Sequence, residues 1–146
     1  MKEVKGVKEV DEVKEEGSEY YILVKILGVD WGEKRIGVAI ARGNLAEPLG
    51  VVGSFEELAK IVRQEGIRQI VLGLPEGKLE TRVRKGGKKL EEDLGIPVIL
   101  RSEVLTSRVA LEKAIQAGKP RKKRRTLDSF SAALLLQEYL DENRGS

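Results

Sequence analysis

A carboxylate stands at the end of the first strongly apolar segment of the chain. Residues 26–40 read Ile-Leu-Gly-Val-Asp-Trp-Gly-Glu-Lys-Arg-Ile-Gly-Val-Ala-Ile, which predicts a strand, a tight turn and a second strand, with Asp30 at the tip of the first. An unpaired buried charge costs several kcal/mol, so an acid at this place favours a functional use, with a metal ion as its usual partner. The ordinary alternative is a turn aspartate that bonds its own backbone ahead of Gly32.

The composition narrows the chemistry that such an acid can perform. The 146 residues contain neither histidine nor cysteine. This excludes a Ser-His-Asp triad, imidazole and thiolate metal ligands, and disulfide bonds. Catalysis would then depend on Asp, Glu, Lys, Arg, Ser, Thr or Tyr, and carboxylates with a hard cation such as Mg²⁺ become the leading option.

Two further carboxylates fall where the predicted topology could gather them with Asp30. Glu103 follows the fifth predicted strand, and Asp128 is predicted in the first turn of the last helix. Three such acids suit one or two Mg²⁺ or Mn²⁺ ions, which activate water for an in-line displacement at phosphorus. The ordinary alternatives are a solvated loop acid for Glu103 and an acid favoured by a helix N-terminus for Asp128.

The elements that must position these acids are predicted in the order β-β-β-α-β-α-β-α-α. Short connections between the first three strands predict an antiparallel meander, and helices between the later strands predict parallel pairing. The fold class is therefore α/β, with a mixed five-stranded sheet, helices on both faces, and a site beyond the carboxyl ends of the parallel strands. The predicted strands are residues 21–29, 35–41, 48–52, 69–72 and 97–100; the predicted helices are 54–64, 79–93, 106–118 and 127–142.

Charge divides the chain into two parts. Residues 1–23 carry a net charge of −3, with valines spaced among Lys and Glu, which predicts a flexible N-terminal extension. Residues 24–146 carry +6 and have the length of one domain. No apolar run approaches the ~20 residues that a membrane helix needs, and the start lacks a secretory pattern. We therefore expect no membrane contact and a cytoplasmic location.

Two groups of basic residues suggest an anionic partner. Residues 119–125, predicted as a loop before Asp128, include six basic residues, and a second group (Arg82, Arg84, Lys85, Lys88 and Lys89) lies on the second predicted helix. Such runs are usually solvated surface. The position of the first group beside the acids favours phosphate binding, whereas six aromatic residues are too few for a base-stacking platform. The candidate nucleic-acid-binding residues are Lys34, Arg35, Arg121, Lys122, Lys123, Arg124 and Arg125.

Several segments of the chain resemble the YqgF (RuvX) family of RNase H-like nucleases, described as Holliday junction resolvases and as pre-16S rRNA processing nucleases. The similarity covers residues 25–141 in the family's order, and its matching blocks are residues 28–39, 71–75, 103–107, 121–123, 128 and 132–137. The resemblance implies an RNase H-like fold and a structured RNA or branched DNA substrate, bound by a monomer or homodimer. It also implies Mg²⁺ or Mn²⁺ as cofactor and Asp30, Glu103 and Asp128 as the catalytic, metal-binding acids.

One block departs from the family pattern. The family usually has Asp-Glu-Arg where this chain has Ser102-Glu103-Val104, so a neighbouring acid and an arginine are missing. Losing the arginine would weaken substrate positioning or the stabilisation of developing phosphate charge. Trimming of pre-16S rRNA is the preferred activity. The alternatives are Holliday junction resolution and a nucleic-acid-binding module with weak or no catalysis.

A further alternative is one half of an actin-like or sugar-kinase ATPase. In those proteins the phosphate loop also follows a first strand with an Asp-x-Gly sequence, as in Asp30-Trp31-Gly32. Such ATPases clamp the nucleotide between two domains of this kind, and the length of this chain supplies one.

Overall fold

The chain folds into a five-stranded mixed sheet with helices on both faces. This computed structural model describes residues 24–32, 34–102 and 121–144, and in the last range the side chains of residues 128–143. The strands are β1 (Ile26–Trp31), β2 (Ile36–Ala41), β3 (Ala46–Val52), β4 (Gln69–Leu74) and β5 (Val98–Ser102). The helices are α1 (Phe55–Glu65), α2 (Leu79–Leu94) and α3 (Arg121–Arg144). The sheet order is β3-β2-β1-β4-β5.

The central strand is β1, as its apolar character on both faces predicts. It pairs antiparallel with β2 and parallel with β4, while β2 pairs antiparallel with β3 and β4 pairs parallel with β5. The first three strands therefore form the predicted meander. The carboxyl ends of β1, β4 and β5 lie at one edge of the sheet, which we call the carboxyl edge.

Pairing between strands moves the end of β1 beyond the predicted position. The strand begins at Ile26 and continues through Trp31, which was expected in the turn but pairs with Ile36. The turn is closed instead by Gly32, whose N–H donates to the carbonyl of Arg35 at 2.8 Å. Residues 21–23, predicted at the start of this strand, lie outside the described residues.

Three of the other strands extend beyond their predicted bounds, whereas β2 begins one residue later than predicted, at Ile36. β4 and β5 each extend two residues further towards the carboxyl edge, because Gly73 pairs with Arg101 and Leu74 with Ser102. β3 begins two residues before Pro48. A proline is compatible with this strand because β3 is an outermost strand of the sheet, so that one side of its backbone needs no partner.

One face of the sheet carries α1 and α2. The predicted cap of α1 is confirmed, since Ser54 Oγ accepts a hydrogen bond from the N–H of Glu57 at 3.2 Å and Gly66, with a φ of 69°, ends the helix. Burial of apolar side chains between these helices and the sheet stabilises this layer. Its fully buried residues include Leu27, Val29, Leu58, Ile70, Leu72 and Leu90.

The helix α2 continues through the Gly86-Gly87 pair, which was predicted to weaken it. Both glycines allow close packing on the sheet. A Cβ atom on Gly86 would lie 2.5 Å from the Trp31 ring, and one on Gly87 would lie 2.8 Å from Leu72. Glycine lowers the intrinsic stability of the helix, but at this position it also permits the tight contact between α2 and the end of β1.

The opposite face carries α3, which begins earlier than predicted. Residues 121–125, expected in a loop, are helical, and Asp128 is the eighth residue of the helix instead of lying in its first turn. The helix 106–118, the remainder of the basic segment (119–120) and the extension 1–23 fall outside the described residues. Within the described ranges, no helix has both the length and the apolar character of a membrane span.

Small residues let α3 lie close to the sheet. A Cβ atom on Gly28 of β1 would lie 2.8 Å from Leu136 Cβ and 3.0 Å from the carbonyl oxygen of Ala132. Further along, Gln137 Oε1 accepts from the N–H of Ala46 at 2.8 Å, which joins the helix to the start of β3. The buried residues of this layer are Ala39, Ala41, Val71, Ala132, Ala133, Leu135 and Leu136.

We expect Gly28→Ala to lower the free energy of unfolding by about 1–3 kcal/mol, because the added methyl group overpacks the contact with α3. The matched control is Gly53→Ala, since the added Cβ at Gly53 would meet only Glu57 Oε1, at 3.9 Å, among the described residues. Denaturant-induced unfolding of both variants measures the difference. Equal stability of the two variants would contradict the close packing of α3 on β1.

Candidate functional site

Asp30 is placed at the carboxyl edge by the pairing of β1. It is the penultimate residue of the strand and lies opposite Gly37 of β2. Side chains alternate along a strand, so Asp30 shares the face of Gly28, towards α3, whereas Val29 belongs to the core under α1 and α2. Asp30 was predicted at the tip of the first strand, and it lies one residue before the strand ends at Trp31.

Asp128 reaches the same place from α3. A Cβ atom on Gly37 would overlap the carbonyl group of Asp128, so the helix backbone rests directly on this glycine. Because Gly37 is the strand partner of Asp30, the contact brings the two acids to neighbouring positions. Both line one open pocket at the carboxyl edge, which we call the edge pocket: Asp30, Gly32, Lys34, Arg35 and Asp128.

An ion pair fixes the Asp128 side chain in the edge pocket. Arg35 Nε donates to Asp128 Oδ2 at 2.6 Å, with the two side chains 28% and 19% exposed. A charge-assisted bond of this length orients the carboxylate, while the partial exposure keeps its contribution to stability modest. The two Nη nitrogens of Arg35 have no hydrogen-bond partner among the described residues.

Lys34 and Arg35, the candidate nucleic-acid-binding residues of the first turn, therefore differ in their surroundings. Lys34 lines the edge pocket with no ion-pair partner in the part of the chain that the structure describes. Arg35 was predicted to hold nucleic acid, and the structure adds its bond to Asp128, which sequence reasoning missed. No local signal could have found this pair, because its members are 93 residues apart.

The third predicted acid, Glu103, lies outside the described residues, which end at Ser102 in this part of the chain. The strand before it does reach the carboxyl edge. β5 is separated from β1 by β4, so it is a second neighbour of β1 and not a direct one. Within the described ranges, no group of three or more His, Cys, Asp or Glu side chains is gathered, and the edge pocket supplies two carboxylates.

The end of β5 is tied to α3 by a second ion pair. Arg101 donates from Nη1 to Glu142 Oε1 at 2.7 Å and from Nη2 to Glu142 Oε2 at 2.5 Å. This bidentate bond lowers the pKa of the Glu142 carboxyl below its ordinary value and raises the pKa of Arg101. Arg101 lies two residues before Glu103, so the pair anchors the strand that leads to the third acid.

The basic residues that were predicted to contact nucleic acid lie at the start of α3. The helix packs on Gly37, the strand partner of Asp30, at Asp128, and on Gly28 at Leu136. It therefore runs antiparallel to β1. Arg121, Lys122, Lys123, Arg124 and Arg125 therefore precede Asp128 on the part of the helix that extends past the carboxyl edge, over about 10 Å at 1.5 Å per residue. Their side chains are not among those described.

Comparison with known proteins identifies the family to which the chain belongs. The sequence model of RuvX, described as a Holliday junction resolvase, matches residues 24–142. A Syntrophus aciditrophicus protein named "Putative pre-16S rRNA nuclease" is 39% identical, with 81% of this chain and 89% of that protein covered. A protein of the same name from Chloroflexus aggregans is 34% identical, covering 82% of this chain and 94% of its own length.

A solved structure agrees with the fold. T. thermophilus RuvC in complex with a Holliday junction substrate matches with a TM-score of 0.53 at 14% identity, over 84% of this chain and 97% of its own. The predicted RNase H-like sheet is thereby confirmed. Since the family model spans residues 24–142 and the relatives exceed 30% identity over most of the chain, this protein belongs to the RuvX family.

Proposed function

We propose that this protein is a metal-dependent nuclease that cleaves phosphodiester bonds in structured RNA, with the 5′ end of pre-16S rRNA as substrate. The observation that carries the proposal is the edge pocket, where Asp30 and Asp128 meet Lys34 and Arg35 at the carboxyl edge. The names of the relatives support rRNA trimming as the activity. A cytoplasmic location follows from the proposed substrate.

The donor set of the edge pocket fits a hard divalent cation. Carboxylate oxygens are the ligands that Mg²⁺ and Mn²⁺ prefer, and two carboxylates line one open pocket. Asp30 and Asp128 would hold the ion, with Glu103 as the third ligand beyond the end of β5. When bound, such an ion supplies charge neutralisation at phosphorus and a water of lowered pKa.

The chain's own residues contribute binding and orientation. Arg35 holds the Asp128 carboxylate through Nε, and the planar guanidinium leaves its two Nη nitrogens to donate to a phosphate oxygen. A lysine could not make both contacts in this fixed geometry, because its charge is a single ammonium group. Lys34 adds a second cation to the same pocket and would bind the phosphate there.

Holliday junction resolution is the second candidate function. The description of the family and the junction-bound RuvC of similar fold favour it. Resolution needs paired incisions in two strands and therefore two copies of the edge pocket in a homodimer. Trimming of an RNA end needs one copy, so a monomer suffices. The missing arginine at Val104 supports the third alternative, a binding module with weak catalysis.

We expect Asp30→Asn to lower the cleavage rate more than about a hundredfold while the fold is kept, because the variant removes a carboxylate charge at the proposed metal site. The assay offers a pre-16S rRNA 5′ fragment and a synthetic four-way DNA junction with Mg²⁺ or Mn²⁺. Glu92→Gln, which alters an exposed acid in the last turns of α2, is the control. Full cleavage by Asp30→Asn would defeat the assignment of the site.

Replacing Arg121, Lys122 and Lys123 by Ala should weaken RNA binding. It should also reduce the slope of log K against log salt concentration by about 0.7–0.9 for each phosphate contact that is lost. The physical reason is that fewer counterions are released when fewer phosphates are neutralised. Binding titrations by fluorescence anisotropy from low to moderate salt measure the slope. The matched variant loses three exposed cations elsewhere, at Lys60, Arg63 and Arg68. Equal slopes for the two variants would remove this basic segment from the binding surface.

A further inference from the structure

The helix α2 carries a line of cations along one side. Lys78, at the N-cap, and Arg82, Lys85 and Lys89 are spaced by four, three and four residues. At 100° per residue this spacing places all four within a narrow stripe. We call these four residues the α2 stripe.

Glu80 and Glu91 lie on other sides of α2, Asp93 is paired, and the exposed Glu92, seven residues after Lys85, adjoins the stripe only at its far end. Glu80 Oε2 accepts from Arg84 Nε at 3.2 Å, which neutralises both groups. At the far end of the stripe, Lys89 Nζ lies 3.2 Å from Asp93 Oδ2 and 5.5 Å from the centre of the Phe55 ring. The remaining members, Lys78, Arg82 and Lys85, are exposed and have no ion-pair partner within the described part of the chain.

The three unpaired residues of the stripe lie near the carboxyl edge. α2 follows β4, which ends at that edge, and leads to β5, which begins at the opposite edge. The first half of the helix, with Lys78, Arg82 and Lys85, is therefore the half next to the site. The compensated member, Lys89, belongs to the half that leads away from it.

The contact between Gly86 and Trp31 connects the stripe to the site. Arg82 is one turn before Gly86 on the same side of the helix, and side chains of a helix lean towards its N-terminus. From this general lean of helical side chains we expect Arg82 to be directed towards the carboxyl edge, on the part of α2 that precedes the contact with Trp31. Trp31 follows Asp30 directly, with the two side chains on opposite faces of the sheet.

We propose that Lys78, Arg82 and Lys85 bind the phosphate backbone of the nucleic acid held at the edge pocket, where the strand crosses the carboxyl edge to the α1 and α2 face. The inference rests on the proposed function, since it extends the binding surface of the same site. An anionic polymer fits because three uncompensated cations follow one line over about 10 Å. The stripe has no aromatic member, so recognition uses the backbone and not the bases.

The test is the binding of an RNA hairpin with a single-stranded tail to the full chain, without divalent cations so that the RNA stays intact. We expect the double variant Arg82→Gln, Lys85→Gln to lose about tenfold or more in affinity at 0.1 M salt, and to lower the salt slope by about 1.4–1.8. The matched control is Lys60→Gln, Arg63→Gln, which makes the same change in net charge at exposed sites of α1. The loss should appear with the long hairpin and not with a trinucleotide that occupies the edge pocket alone.

Equal affinities of the double variant and its control would overturn the inference while leaving the proposed nuclease intact, provided that the unaltered chain binds and cuts. Failure of the unaltered chain to bind either the hairpin or a four-way junction would overturn both. Vesicles that contain phosphatidylserine are included in the same experiment. Loss of vesicle binding by the double variant, with hairpin binding unchanged, would assign the stripe to a membrane surface and overturn the proposal.

Discussion

The packing of the α3 backbone on two glycines, Gly28 of β1 and Gly37 of β2, is the constraint on which the rest of the site depends. These positions have no side chain to hold the helix away, and the buried side of α3, with Ala132 and Leu136, packs against the sheet there. Since Gly37 is the strand partner of Asp30, the height of the helix above the sheet also sets the separation of the two acids. The contact between α3 and Gly37 therefore contributes to packing and also determines how far apart Asp30 and Asp128 lie.

Other bonds hold the helix along its length. Gln137 joins it to the start of β3, Tyr139 accepts from Gln69 Nε2 at 3.0 Å, and Glu142 holds Arg101. These contacts lie on the far side of the glycines from Asp128. The helix is thus secured over the sheet while its first turns extend past the carboxyl edge.

Local signals decided which elements could be predicted. α1 was predicted almost to the residue, because Ser54 and Gly66 cap it within the chain segment itself. The start of α3 was not predicted, since a run of basic residues with Pro120 resembles a solvated loop and the helix is stabilised by contacts further along. The ends of β4 and β5 depend on each other's backbone, which no single segment records.

The same distinction applies to the site. The position of Asp30 could be predicted because a charge inside an apolar strand is unusual, and the topology predicted that Asp128 would lie near it. The bond from Arg35 to Asp128 could not be identified, since it depends on the register of β1 against β2 and on the closeness of α3. The roles of Gly37 and Gly86 could not be predicted for a related reason. The space left by a glycine has a meaning only when the neighbouring group that fills it is known, and here these groups are Asp128 and Trp31.

The pairing of Arg35 with Asp128 has an electrostatic consequence for any anion that approaches. Among the described residues, the charged side chains that line the edge pocket are two aspartates, one lysine and one arginine, so their formal charges cancel. A polyanion entering from solvent therefore meets no net repulsion there, although the pocket presents carboxylates. The long-range attraction comes from the net positive charge of residues 24–146, which draws the anion towards a pocket whose described charges balance.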